Sequence, residues 1–184
     1  MLLAGQHYTL PNRNLHLWYN KNSRVSSLLN ACRRNRLDHG QDCVRVGLSA
    51  HGFGVFSLRS LAAEDWIGPI EGTVVEELGY GSDYSMEFGD NLALEPDAPF
   101  RYLNHSCRPN CVLVECESWR DDGTSDGPQL WLEVQCEIEP HQEMTIDYGW
   151  PAEAAIPCKC GDAECRGWIV AAEELKHVAA AESR

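Results

Sequence analysis

The chain has 184 residues, 43% of them hydrophobic, with 15 Lys and Arg against 28 Asp and Glu for a net charge of -13. That suffices for one domain with short flanks and excludes a chain too poor in apolar residues to fold. No stretch approaches the roughly 18 consecutive apolar residues of a membrane span, and Met1 to His7 has neither the basic start nor the apolar core of a signal peptide, so an intracellular, soluble protein is expected.

The charge is unevenly spread. Residues 1–45 hold seven Lys and Arg against two Asp, which leaves eight basic and 26 acidic side chains on the other 139 residues, a net of -18. A field of that sign attracts Lys- and Arg-rich polypeptides and repels phosphate backbones, so the expected partner is a basic protein or peptide, with no direct nucleic-acid binding and no membrane.

Asn22 to Arg34 sets Val25, Leu28, Leu29 and Cys32 at helical spacing behind Ser23 as N-cap, which predicts a basic amphipathic helix in an N-terminal flank, residues 1–42. From Cys43 the pattern changes to short β-branched and aromatic runs punctuated by Gly, Pro, Asn and Asp. Strands are predicted at Cys43 to Val46, Gly54 to Leu58, Trp66 to Ile70, Thr73 to Val75, Cys111 to Val114, Leu130 to Val134 and Met144 to Ile146. Segments long enough for helical crossovers are missing between them, so the expected fold is mostly β, several small antiparallel sheets around a compact core. Ser118 to Pro128, dense in turn formers, is predicted to be a mobile hairpin loop.

Four segments concentrate chemistry-bearing residues. In His51-Gly52-Phe53-Gly54 two glycines flank an aromatic and let backbone approach a ligand closely. Arg101-Tyr102-Leu103-Asn104-His105-Ser106-Cys107-Arg108-Pro109-Asn110-Cys111 packs an amide, an imidazole, a hydroxyl and two thiols into eight positions, groups that need partners when buried. Glu143 to Tyr148 ends a strand with a tyrosine whose hydroxyl can project into a pocket. Cys158, Cys160 and Cys165 lie within eight residues, a spacing for metal rather than disulfide in an intracellular chain. Three thiols do not complete tetrahedral zinc, and the fourth must come from elsewhere in the fold, Cys107 or Cys111. Cys32, Cys43, Cys116 and Cys136 are scattered singly and read as small buried hydrophobes.

Taken in this order, the segments resemble the SET-domain family of protein-lysine methyltransferases. Gly52-Phe53-Gly54 resembles its first motif, and Arg101 to Asn110 its Arg-Phe-Ile-Asn-His-Ser-Cys-x-Pro-Asn signature. Glu143 to Tyr148 is similar to its Glu-Leu-Thr-x-Asp-Tyr, and Cys158 to Gly167 to its post-SET Cys-x-Cys-Gly-x-x-x-Cys-Arg-Gly. The resemblance covers residues 43 to 170. It implies a SET domain over 43–150, in which the Asn-His segment threads under the Asp-Tyr loop as a pseudoknot, then a post-SET zinc segment over 151–170 and a tail over 171–184, with short helices.

By the resemblance the chain transfers methyl groups from S-adenosylmethionine to lysine. Backbone at His51, Gly52, Phe53 and Gly54 holds the cofactor's methionine end, Tyr84 and Arg101 contact it, and Asn104 and His105 bind the adenosine portion. Trp168 folds over the cofactor or lysine channel, and Tyr148 is the catalytic residue. Cys107, Cys158, Cys160 and Cys165 hold one structural zinc ion. The implied substrate is a basic segment such as a histone tail, in the nucleus, or a non-histone basic protein in the cytoplasm; the acidic, aromatic segment Glu76 to Asp90 would form one wall of the peptide groove. Two departures stand out: Ile70 occupies a position where the family often has tyrosine, and Ile146 one where it often has an aromatic, both bearing on the lysine channel. The first keeps open a SET-like binding module without catalysis; a zinc-stapled interaction domain without cofactor is a further alternative.

Overall fold

The computed structural model describes residues 41–77, 79–89, 92–119 and 123–182. The predicted helix over 22–34 lies outside them, as does Cys32. Among the described residues the protein is built from twelve short strands in four sheets and one α-helix, α1 (Leu175–Glu182).

The first sheet positions the site. Strands β1 (Val44–Ser49) and β2 (Gly52–Ser57) form a hairpin in which Val46 faces Val55 and Ser49 faces Gly52. Gly52 has φ 111°, open to glycine and strained for any other residue, and this permits the tight turn. On the other side of β2 lies β10 (Glu143–Ile146), antiparallel, with Glu143 opposite Phe56. Beyond it β7 (Asn104–His105) runs parallel to β10, pairing Asn104 with Thr145 and His105 with Ile146. Residues about forty positions apart in sequence thereby become neighbours.

The second sheet has the order β3 (Trp66–Pro69), β9 (Ser125–Val134), β8 (Cys111–Trp119), and the third β4 (Gly72–Val75), β6 (Leu92–Pro96), β5 (Met86–Phe88). A two-stranded ribbon of β11 (Ile156–Pro157) and β12 (Trp168–Ile169) follows. Period-2 patterning explains β9: Leu130, Leu132 and Val134 are buried while the residues between them are half-exposed. With Val55, Ile67, Ile138 and Met144, all fully buried, they form one core. Burial of each such side chain is worth about 1.5–3 kcal/mol.

The long hairpin corrects the predicted loop over 118–128, because β8 continues to Trp119 and β9 begins at Ser125, pairing Glu117 with Pro128. β3 reaches only Trp131 to Glu133 of β9, so the Pro128 end of the strand is not flanked by β3, and proline is tolerated in such an edge setting. Strands β5 and β6 were not predicted. Cys43 is buried as expected, Cys116 is buried but disulfide-bonded, and Cys136 is exposed beyond the end of β9, where the strand has left the core; Cys111, the alternative fourth ligand, is fully buried outside the cysteine cluster.

Asn110 locks the sheets together. Buried to 7% exposure, its Nδ2 donates to the Glu143 carbonyl at 2.8 Å and its Oδ1 accepts from the Thr145 N–H at 2.8 Å. A buried carboxamide is tolerated because both its ends are satisfied.

Candidate functional site

The parallel pairing of β7 with β10 sets Asn104 beside Glu143. Asn104 Nδ2 donates to Glu143 Oε1 at 2.7 Å and to the Phe53 carbonyl at 2.9 Å, so its amide protons are committed and its carboxamide oxygen is what it can still offer a ligand. Glu143 Oε2 accepts from Ser49 Oγ at 2.8 Å. One carboxylate thus ties the β1–β2 hairpin to β7. Gly54 is what makes room for it, since a Cβ there would overlap the Glu143 carboxylate and lie 3.1 Å from Ser49 Cβ.

A cleft of about 240 Å³ opens above this hub. Its lining brings together His51, Gly52 and Phe53 of the hairpin turn with Tyr84, Arg101, Asn104 and Tyr148. The Arg101 guanidinium sits 4.3 Å over the Tyr84 ring, and Phe53 packs on Tyr102 at 5.5 Å between ring centres. Tyr84 is held from below: its N–H donates to Ser82 Oγ at 3.1 Å, and the Ser82 and Tyr80 hydroxyls both donate to Glu95 Oε1 of β6.

Tyr148 closes the cleft. Its hydroxyl donates to the Leu103 carbonyl at 2.9 Å, and its ring packs between His105 and Trp150, each 5.4 Å away. Burial, with the Glu143 carboxylate adding to it, pushes the phenol up to about 12. At neutral pH it stays protonated, its one proton is engaged, and the oxygen presents only lone pairs to an incoming group.

Behind it His105 is buried, and burial, partly countered by Asp147, pushes its imidazole below the usual range, so it is neutral at pH 7. Its Nδ1 accepts the Tyr148 N–H at 3.2 Å, which places the remaining proton on Nε2, 3.4 Å from Cys107 Sγ.

Cys107 belongs to a second centre. The sulfurs of Cys107, Cys158, Cys160 and Cys165 all lie within 4.8 Å of one another. Cys107 Sγ is 3.6 Å from that of Cys158 and 3.9 Å from that of Cys165, and four thiolates at zinc–sulfur distances of about 2.3 Å in a tetrahedron are about 3.8 Å apart. Backbone N–H groups of Cys160, Arg166 and Gly167 point at Cys158, Cys107 and Cys165, each at 3.4 Å. Burial pushes the Cys158 thiol up to about 12; burial raises Cys160 too, but backbone N–H donors and the neighbouring thiols bring it down to about 7. A cluster with one readily ionised thiol and three backbone donors fits a zinc ion, which would complete the deprotonation of the rest.

The sequence pattern of the family described as SET domain matches residues 52–149, more than half of the chain. The chain belongs to the SET-domain family. Among its relatives, the Aspergillus oryzae histone-lysine N-methyltransferase, H3 lysine-4 specific, is 27% identical over 157 residues, 74% of this chain and 12% of that protein. Human histone-lysine N-methyltransferase SETD1B is 27% identical over 137 residues, 65% of this chain and 7% of that protein. The chain therefore spans a small part of these relatives' length. The crystal structure of KRYPTONITE in complex with mCHG DNA and SAH superposes with a TM-score of 0.58 at 26% identity, covering 68% of this chain and 28% of that one.

Within this SET domain, seven of the residues singled out in the sequence line the cleft: His51, Gly52, Phe53, Tyr84, Arg101, Asn104 and Tyr148. Gly54 lies beneath it against Glu143, and His105 behind Tyr148. Trp168 is half-buried on β12 and is not among the residues lining the cleft, and Ile70 and Ile146 are core residues, 2% and 3% exposed, that do not line it either. The four cysteines expected at the metal centre are the four that cluster. Sequence reasoning missed Asp83, Tyr102 and Leu103 on the cleft and Glu143 under it; the glycine at 54, where a Cβ would meet the Glu143 and Ser49 side chains, was the available signal for the last.

Proposed function

We propose that this SET domain is a protein-lysine N-methyltransferase that uses S-adenosylmethionine and acts on a Lys- and Arg-rich protein segment such as a histone tail. The observation that carries it is Tyr148: a phenol held neutral, its hydroxyl donating to the Leu103 carbonyl, on the lining of a cleft walled by residues of the family match.

S-adenosylmethionine, when bound, supplies a methyl group on a positively charged sulfur. In the proposed assignment, backbone at His51, Gly52 and Phe53 receives its methionine end, Tyr84 and Arg101 flank it, and Asn104, through its free carboxamide oxygen, meets the adenosine with His105 behind. The Tyr148 oxygen accepts from the lysine amine and orients its lone pair, the alignment on which such a displacement depends. Tyr148 cannot serve as the base at pH 7, and Glu143 and Asp147 are both tied up in hydrogen bonds. The ammonium proton therefore leaves to water before transfer, helped by desolvation in the cleft, which lowers a lysine pKa. Exposed Asp83 on the cleft lining, with exposed Glu76, Glu77 and Glu87 in the same acidic segment, suits a basic partner. The structural zinc at Cys107, Cys158, Cys160 and Cys165 anchors the 151–170 segment beside the site. The relatives' names, and a KRYPTONITE structure containing an H3(1-15) peptide and SAH, favour a histone and with it a nuclear location; no helix among the described residues is long and apolar enough to cross a membrane.

The test incubates the protein with labelled S-adenosylmethionine and core histones, then total cell protein. Label on a lysine of a basic protein is expected; no transfer to either pool, together with no cofactor binding by calorimetry, would sink the proposal.

A further inference from the structure

Arg166 carries more contacts than its place in the cysteine segment requires. Nη1 donates to Asp147 Oδ2 and Nη2 to Asp147 Oδ1, each at 2.7 Å, a parallel two-bond fork. Its own N–H donates to Cys107 Sγ at 3.4 Å, and its side chain is 14% exposed. The third guanidinium nitrogen, Nε, is buried with no hydrogen-bond partner. A buried N–H left unpaired is costly, and more so on a charged group, so the position calls for an acceptor. The acceptor beside it is Cys107 Sγ, which already takes the Arg166 backbone N–H at 3.4 Å. A neutral thiol is a weak acceptor; a metal-bound thiolate is a full anion.

The far end of the fork reaches the cleft. Asp147 Oδ1 also accepts the Gly149 N–H at 3.1 Å and lies 3.5 Å from His105 Nδ1, the atom that accepts the Tyr148 N–H. Residues 147 to 149 are thus fixed by one carboxylate and one imidazole, and the carboxylate is fixed by Arg166.

We propose that Arg166 is a positioning residue joining the two centres: with a metal on the four sulfurs, its Nε–H donates to the Cys107 thiolate while its fork holds Asp147 and the backbone that carries Tyr148. Metal binding and the geometry of the cleft floor then reinforce each other. Lysine cannot substitute, because it lacks both the fork and a third donor in the guanidinium plane. The inference rests on reading the cysteine cluster as a metal site and uses the methyl-transfer reading nowhere in its test.

The experiment uses the full chain loaded with zinc and two readouts, competition with a chelator for zinc and amide hydrogen exchange at Tyr148 and Gly149. Loss of an outer donor weakens metal binding by roughly 10–100-fold, and that range is expected for both Arg166→Gln and Arg166→Lys. Asp147→Asn, which touches no sulfur, shifts zinc affinity in the same direction by less. In the unsubstituted protein, zinc removal speeds exchange at 148 and 149; in Arg166→Gln those amides exchange fast with or without zinc, while protection in the β8–β9 hairpin shows that the chain is folded. Should Arg166→Gln fail to fold, Asp147→Asn carries both readouts. Arg166→Lys binding zinc like the unsubstituted protein, exchange at 148 still responding to zinc without Arg166, or a chain that binds no zinc at all, each overturns the proposal. None of these outcomes depends on methyl transfer, which has its own test.

Discussion

Gly54→Ala probes the hub on which the cleft is built. The new methyl would overlap the Glu143 carboxylate and lie 3.0 Å from its Cδ, with Ser49 Cβ at 3.1 Å on the other side, so it cannot turn away. Glu143 would have to move, and its bonds to Asn104 at 2.7 Å and Ser49 at 2.8 Å would go with it. Each bond to a charged group contributes about 1.5–3 kcal/mol, and overpacking adds about 1–3 kcal/mol. Because the effects overlap, the expected loss is about 3 kcal/mol, or roughly 6–12 °C in Tm for a chain of this size. The informative assay is a double-mutant cycle by urea denaturation. Glu143→Ala removes the obstacle, so Gly54→Ala costs little on that background, and the coupling is about 1.5–3 kcal/mol. Additivity of the two substitutions to within about 0.5 kcal/mol would show that Gly54 is small for some other reason.

Three further expectations follow from the same contacts. Asn110→Ala orphans the Glu143 carbonyl and the Thr145 N–H, and a loss of about 3 kcal/mol is expected in thermal unfolding; a change below 1 kcal/mol, about the scale of a surface substitution, would remove Asn110 as the lock. Tyr148 has its folded phenol pKa raised from 10.0 to about 12. The folded state therefore holds that proton more tightly, so the stability it contributes is complete below pH 10 and declines as pH rises through 12. In a tyrosinate absorbance titration the last phenol to ionise is expected to vanish in Tyr148→Phe, and all tyrosines titrating together near 10 would contradict this. Ile70→Tyr, which restores the family's usual residue, overpacks a core position 2% exposed and is expected to cost about 1–3 kcal/mol in Tm-derived stability; an unchanged or raised Tm would mean that position 70 has room toward the cleft.

Much of the fold was legible where the pattern is local. Leu130, Leu132 and Val134 alternate as a strand must, and the predicted strands at Trp66, Thr73 and Met144 fall within a residue or two of those observed. Strands β5 and β6 escaped because Met86-Glu87-Phe88 is too short to show a period, and in Leu92 to Pro96 alanine and proline weaken the propensity that packing overrides. The loop over 118–128 was overdrawn because turn formers sit in an edge stretch of β9, where proline and glycine are tolerated. For the site, cysteines within eight residues announce a metal centre, and a dense polar run announces Asn104 to Cys107. The long-range partners carried no such signal. Nothing local relates Glu143 to Asn104 or Arg166 to Asp147; only the parallel pairing of β7 with β10 and the return of the cysteine segment to Cys107 bring them together. Ile70 and Ile146 stood out by comparison with a motif; their burial came from packing, with position 70 turned into the core after β3 and its N–H bonded to the Leu130 carbonyl at 2.8 Å.

The central claim is that the Tyr148 oxygen orients the methyl acceptor in a cleft that binds S-adenosylmethionine. The most direct measurement compares the unsubstituted protein with Tyr148→Phe, recording cofactor binding by calorimetry and label transfer to histones under the same conditions. The phenylalanine ring preserves the packing against His105 and Trp150, so cofactor affinity is expected to stay within about threefold while transfer falls by roughly 100-fold or more, a loss of about 3 kcal/mol in transition-state stabilisation. Transfer undiminished in Tyr148→Phe, with the cofactor bound, would contradict it.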